Sequence, residues 1–166
     1  MTGIIVVTPP RPPRLLFRAL GPGLAGSVAL TLIHEGARRV LKHPPRMDVY
    51  GKRSMRIASR NLGRRPAHGK RLYRQAMVGD LVSNALYFAL VALGRPQRPY
   101  LRGSLLGSLA GVGAVLLGPK LGLGKKPSSD TPATSSLTVL WYTLGGLGAA
   151  WATRRLLPRP VVEGLV

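Results

Sequence analysis

Residues 76–94 read AMVGDLVSNALYFALVALG, a run of nineteen residues without a lysine or an arginine. A helix of about 20 mostly apolar residues is long enough to cross the hydrocarbon core of a bilayer. The run contains one acid, Asp80, which is followed by the polar residues Ser83, Asn84 and Tyr87. Helical spacing places residues three and four apart on one side. The run therefore predicts a transmembrane helix with a polar stripe.

Three further apolar stretches of similar length surround this run: residues 15–33, 103–118 and 137–152. Basic or polar segments separate all four stretches from one another. The pattern predicts an all-α fold, a four-helix transmembrane bundle that forms a single domain over residues 15–155.

The two ends of the chain differ from this domain in composition. Residues 1–14, MTGIIVVTPPRPPR, contain four prolines. Because prolines inside a helix remove backbone hydrogen bonds, we expect an extended Pro/Arg-rich arm. Residues 156–166 contain two more prolines and are predicted to be a tail.

The charge balance points to an anionic partner. The chain has 25 Lys and Arg against 5 Asp and Glu, a formal charge of +20. Nucleic acid and anionic lipid are the two candidate partners. The basic residues are segregated from long charge-free stretches. The basic segment has only Tyr50 and Tyr73 as aromatic residues, which gives no stacking platform for bases, so the pattern favours lipid over nucleic acid. The chain has no cysteine, which excludes disulfides and thiolate metal sites.

The connection over residues 36–75 holds most of this charge. After Pro44 and Pro45, Asp48 stands where a helix would begin, and an acid there suits the helix dipole. The spacing predicts a basic amphipathic helix that lies on the membrane surface. Six side chains are predicted to bind lipid headgroups or other anions: Lys52, Arg53, Arg56, Arg60, Arg64 and Arg65.

Small residues recur at four-residue steps in the last two stretches. Gly103, Gly107 and Gly111 follow this spacing, as do Gly145 and Ala149. In membranes such faces let helix backbones approach closely. We expect these residues to hold the bundle together or to dimerise it.

The distribution of basic residues predicts the topology. With four spans, sixteen Lys and Arg lie on the side of residues 36–75 and nine on the other side. The positive-inside rule then places the long basic connection in the cytoplasm and both termini outside.

The sequence predicts an intramembrane polar site with two halves. One half is formed by Asp80, Ser83, Asn84 and Tyr87, and the other by His34 and Glu35 at the end of the first stretch. One interpretation is a proton- or cation-binding position. The other is a structural interhelical hydrogen bond or an ion pair with an arginine of the basic connection. Glu35 is also expected to pair with Arg38 or Arg39.

Motifs for enzymatic chemistry are absent from the sequence. It contains no G-x-S-x-G, P-loop or HExxH motif. With only five Asp and Glu residues, it also has few candidates for general acid–base catalysis. We therefore expect no enzymatic activity, no cofactor and no metal site.

Two segments, LIHEGARRVLKHPPRMDVYG at residues 32–51 and GDLVSNALY at residues 79–87, carry a resemblance. In this part of the chain the sequence resembles small multi-pass proteins of bacterial inner membranes that carry no assigned activity. The resemblance implies the membrane class and the bacterial inner membrane as location, and nothing about mechanism.

The leading hypothesis is a non-enzymatic integral membrane protein whose basic segment contacts anionic phospholipid headgroups or a partner, with a second copy or another membrane protein as candidate partners. One alternative is a small ion- or proton-coupled transporter or channel that uses Asp80. Another is an accessory subunit of a larger assembly.

Overall fold

The computed structural model describes residues 12–41, 44–93 and 97–157, and every regular element in these ranges is a helix. In chain order the helices are α1 Pro12–Val40, α2 Met47–Asn61, α3 Gly69–Ala92, α4 Pro99–Lys120, α5 Lys126–Ser129 and α6 Pro132–Leu156. The predicted all-helical class is confirmed. Three helical segments are long and apolar enough to cross a membrane: Leu16–Val40, Gly69–Ala92 and Pro99–Lys120. Helix α6 also has 25 residues, but no stretch of it is as apolar as the most apolar stretches of these three segments.

The helices extend beyond the predicted apolar stretches. Helix α1 begins at Pro12, inside the predicted extended arm, and runs to Val40 rather than ending near residue 33. A proline is tolerated in the first helical turn because its missing N–H has no partner there in any case. The rest of the arm, residues 1–11, lies outside the described residues, as do residues 158–166 of the predicted tail.

The polar segment between the third and fourth apolar stretches, residues 119–136, also contains helical residues. It holds the short helix α5 and the first turn of α6. The backbone N–H of Thr134 donates a hydrogen bond of 3.1 Å to Thr131 Oγ1, which caps α6 and explains its early start.

The four long helices pack as antiparallel neighbours in the order α3, α1, α6, α4. Gly23 of α1 lies against Ala85 and Ala89 of α3. On its other side α1 meets α6, where Gly26 lies against Gly145 and Ala149. Helix α4 packs mainly on α6. Helix α6 also contacts α1 and α3, so it touches each of the other three long helices.

Many large apolar side chains point away from this interior, although Leu30, Leu72, Phe88 and Val91 are buried in it. Each long helix exposes several of them: Leu24, Val28 and Leu32 on α1, Val78, Val82 and Leu86 on α3, Leu101, Leu105 and Leu109 on α4, and Leu140, Leu144 and Trp151 on α6. Glycine, alanine, serine and threonine fill much of the space between the helices. An apolar exterior around small buried residues is the arrangement that lipid solvent favours.

Helices α2 and α5 lie together across one end of the long helices. The backbone N–H of Arg46 donates a hydrogen bond of 2.7 Å to the carbonyl oxygen of Pro127, and Tyr50 packs against Gly118. Two glycines with positive φ lie at the ends of the connection from α2 to α3: Gly63, with φ +66°, and Gly69, the first residue of α3, with φ +55°. The two polar connections therefore lie at the same end of the fold.

Candidate functional site

A polar cavity of about 20 Å³ lies between α1, α2 and α3. This is room for about one water molecule. The lining residues are Thr31, His34, Glu35, Met47, Asp48, Gly51, Tyr73, Ala76, Met77 and Asp80. The structure thus brings His34, Glu35 and Asp80 to one cavity, and adds Asp48 to them.

Two polar atoms at this cavity are buried without a hydrogen-bond partner among the described residues: His34 Nε2 and Thr31 Oγ1. The imidazole of His34 lies 5.1 Å from the ring of Trp141 and 5.9 Å from that of Tyr142, which fixes the ring against α6. Buried polar atoms in proteins are normally paired, by protein groups or by ordered water. A water-sized cavity beside them provides the place for such a partner.

Asp48 is the centre of an ion-pair network at one wall of the polar cavity. Its side chain is only 5% exposed. Arg46 donates two hydrogen bonds to it, Nε to Oδ1 at 2.9 Å and Nη2 to Oδ2 at 3.2 Å. Lys52 Nζ lies 3.2 Å and Arg38 Nη1 3.7 Å from Oδ2, while Arg38 Nη2 also lies 2.6 Å from Glu35 Oε2. The network joins the end of α1 to the start of α2.

The protonation of Asp48 follows from this network. Burial alone raises the pKa of a carboxyl group, but the hydrogen bonds and positive charges of Arg46 and Lys52 outweigh it and lower the pKa of Asp48 from 3.8 to about 2. Asp48 is therefore a carboxylate at neutral pH.

Asp80 has different surroundings. It makes no ion pair within the described part of the chain, so the predicted bond to an arginine of the basic connection is not formed there. Asp80 also lines a second pocket, of about 270 Å³, between α2, α3 and α6, together with Tyr50, Asn84 and Tyr142. Asp80 thus belongs to the walls of both the small polar cavity and this larger, more open pocket.

The rest of the predicted polar stripe divides between different surroundings. Ser83 is exposed, and its hydroxyl donates to the backbone oxygen of Asp80 at 3.1 Å. Tyr87 donates to the backbone oxygen of Leu106 on α4 at 2.8 Å. Asn84 is buried, and its Nδ2 has no hydrogen-bond partner among the described residues. Ser83 and Asn84 thus line the larger pocket together with Asp80, whereas Tyr87 joins α3 to α4.

The six predicted anion-binding residues also divide into two groups. Lys52 pairs with Asp48 and lies 5.9 Å from the centre of the Tyr73 ring, and Arg53 donates to the backbone oxygen of Leu123. The other four are exposed: Arg56, Arg60, Arg64 and Arg65. Arg71 and Arg74 of α3 are exposed beside them, a pair that sequence reasoning missed although both lie in the same basic segment.

The predicted packing residues lie inside the helix set. Gly103, Gly107 and Gly111 are buried against the backbone of α6. Gly145 lies against side chains of α1 and α3, and Ala149 is fully buried against α1. In this chain the small residues join helices of one molecule.

Comparison of the chain with family models, with curated proteins and with solved structures finds no match. The resemblance to small bacterial inner-membrane proteins therefore stays a prediction. Within the described ranges, no three His, Asp or Glu side chains are arranged to share a metal ion.

Proposed function

We propose that the chain is a multi-pass integral membrane protein of four short spans that anchors its basic end to anionic headgroups on the cytoplasmic side. The main support for this proposal is that the apolar outer surface of the long helices is separate from a basic surface at one end of them. All four long helices expose large apolar side chains along their length. Exposed arginines of the basic segment gather at one end, among them Arg56, Arg60, Arg64, Arg65, Arg71 and Arg74.

Helix α6 is the fourth span in this proposal. Its 25 residues extend about 37 Å, more than the thickness of a hydrocarbon core. Leu140 and Leu144 face outward, and Trp151 is exposed near its end, where an aromatic ring suits the membrane interface. Most of the threonines and glycines that lower its local hydropathy are buried against neighbouring helices: Thr134, Thr138, Thr153, Gly145 and Gly146.

A labelling experiment tests the topology, since the chain contains no native cysteine. Single cysteines replace Asn61 and Ala133, which are exposed in the two polar connections, and Gln97, which is exposed at the opposite end. We expect membrane-impermeant reagents to label the first two only from the cytoplasm and the third only from outside. Labelling of all three from one side without membrane disruption would exclude the four-span proposal.

A stability measurement tests the headgroup contact. The full chain is purified in neutral detergent and melted with added phosphatidylglycerol or phosphatidylcholine. Each arginine near an anionic surface contributes about 1 kcal/mol, and salt screens this term. We expect the anionic lipid alone to raise Tm, and the increase to shrink in salt. An equal effect of both lipids contradicts the electrostatic part of the proposal.

A second candidate function is ion- or proton-coupled transport through Asp80. It is favoured by the position of this carboxyl between the polar cavity and the open pocket, without an ion-pair partner among the described residues. Carboxyl groups inside spans often mark ion or proton pathways. The test is proton and cation flux in proteoliposomes, which Asp80→Asn should abolish while Asp130→Asn, at an exposed acid, retains it. The absence of flux in the unmodified protein excludes this function.

A further inference from the structure

A groove of about 1140 Å³ lies between the second half of α2, the connection after it and the first half of α3. We call it the α2–α3 groove. Its basic residues are Arg64, Arg65, His68, Arg71 and Arg74. Its apolar residues are Met55, Ala58, Leu62, Pro66, Ala67, Val78 and Val82.

The charge of the groove is of one sign. No acidic residue lines it, and none of its four arginines forms an ion pair within the described residues. The arginines come from two elements, Arg64 and Arg65 from the connection and Arg71 and Arg74 from the first turns of α3. Guanidinium groups on two sides of a groove are suited to bind a phosphate group. Each guanidinium group can donate two parallel hydrogen bonds to the phosphate oxygens.

An apolar track continues from the groove along α3. Val78 and Val82 line the groove, and Leu86 and Leu90 follow at the same four-residue spacing. All four side chains are exposed, between 39% and 62%. The track runs away from the arginines for about 18 Å at the helical rise and passes the middle of the predicted span.

We propose that the α2–α3 groove is a binding site for one anionic phospholipid. The phosphate lies among Arg64, Arg65, Arg71 and Arg74, and an acyl chain follows Val78, Val82, Leu86 and Leu90. A headgroup that also carries a positive amine is disfavoured, because that amine would face the arginines. This inference rests on the proposed membrane insertion and gives the diffuse headgroup contact a defined site.

The test counts phospholipids that remain bound to the full-length protein. Native mass spectrometry is performed on protein in neutral detergent titrated with phosphatidylglycerol or with phosphatidylcholine. We expect one phosphatidylglycerol per chain to bind at least tenfold more tightly than phosphatidylcholine. The double variant Arg71→Gln/Arg74→Gln should weaken this binding at least tenfold. Its matched control is Lys125→Gln/Lys126→Gln, which removes the same charge from exposed positions outside the groove and should retain binding.

A second pair of variants tests the apolar part without changing charge. Val82→Phe fills the groove where the acyl chain lies, and we expect it to weaken phosphatidylglycerol binding at least fivefold. Val112→Phe places the same side chain at an exposed position of α4 and should leave binding unchanged. Because Val82 is exposed, loss of binding with an unchanged Tm is not a folding defect.

The outcomes separate the site from the general electrostatic anchor. Equal weakening by both charge variants, with no effect of Val82→Phe, would overturn the groove site and leave the anchor in place. The absence of any preference for phosphatidylglycerol in the unmodified protein would overturn both. Displacement of the lipid by a short RNA, with no effect of Val82→Phe, would assign the arginines to nucleic acid and also overturn the lipid site.

Discussion

Gly103 of α4 and Gly146 of α6 face each other backbone to backbone, each with its Cα directed at the carbonyl oxygen of the other. A Cβ on either residue would collide with that oxygen, which cannot move aside as the tip of a side chain can. The closest approach of these two helices therefore depends on the absence of both side chains.

We predict that Gly103→Ala and Gly146→Ala each destabilise the protein, by about 1–3 kcal/mol, because the helices must separate to admit the methyl group. Thermal unfolding in detergent measures the effect. Gly113→Ala is the control on the same helix, since its added Cβ meets only Leu117 Cδ1, at 4.0 Å. That change should be neutral or stabilising by up to about 1 kcal/mol. Equal losses at all three positions would contradict the packing argument.

Asp48→Asn should also destabilise the protein, by about 1–3 kcal/mol at neutral pH, because Arg46, Lys52 and Arg38 lose their shared counter-charge. Since the pKa of Asp48 is lowered to about 2, its contribution is present above the ordinary carboxyl range near 4 and is lost as the pH falls toward 2. The measurement is Tm against pH for both proteins. The two curves should run parallel above pH 5 and converge in acid.

Asp130→Asn is the matched control for this pH dependence. Asp130 is exposed and forms no ion pair among the described residues. Its substitution removes the same charge but should change Tm little across the range. A pH-independent gap between the unmodified protein and Asp48→Asn would show that the amide disturbs packing rather than charge.

Asp80→Asn should have the opposite effect on stability, although Asp80 lines the same polar cavity as Asp48. A carboxylate inside a span without a counter-charge is unfavourable, and an amide of equal size removes that penalty. We expect Tm at neutral pH to be unchanged or higher. A marked decrease would show that Asp80 is paired in the folded protein and would favour the structural interpretation over transport.

The short helix α5 is predicted to depend on two buried hydroxyl groups. Thr138 donates to the backbone oxygen of Ser128 at 2.9 Å, and Ser128 donates to that of Ala114 at 3.0 Å. Thr138→Val and Ser128→Ala should each lower the unfolding free energy by about 1 kcal/mol. They should also speed proteolysis between α4 and α6. Ser136→Ala, at an exposed position, should do neither.

The sequence was informative at several positions where one residue type determines local geometry, although Pro12 begins α1 rather than lying in an extended arm. The apolar runs predict the long helices, and the four-residue glycine spacing marks the face of α4 that meets α6. Helix α2 begins at Met47, just after Pro44 and Pro45, and ends before Gly63. Proline and glycine act on the backbone directly, so these boundaries follow from local chemistry.

The arrangement of helices around one another could not be predicted in the same way. Tyr87 donates to α4 while Asn84 faces the pocket beside α6, because adjacent turns of α3 meet different neighbours. Nothing in the hydropathy of α3 determines which helix stands on which side. Lys52 and Arg53 likewise turn inward because Asp48 and the backbone oxygen of Leu123 lie within their reach. The sequence pattern does not reveal these partners. The prediction therefore gave all six basic residues the same role in binding anions.

The central position of α6 has a consequence for biosynthesis. Helix α6 is the last of the described helices to be translated, yet α1, α3 and α4 all pack on it. Until α6 is synthesised, the glycine face of α4 lacks its main neighbour, since α3 touches α4 only weakly. If synthesis stops before residue 132, that face has no other described helix to pack on closely. The packing of the described helices is therefore completed last, by the helix that the other three long helices all contact.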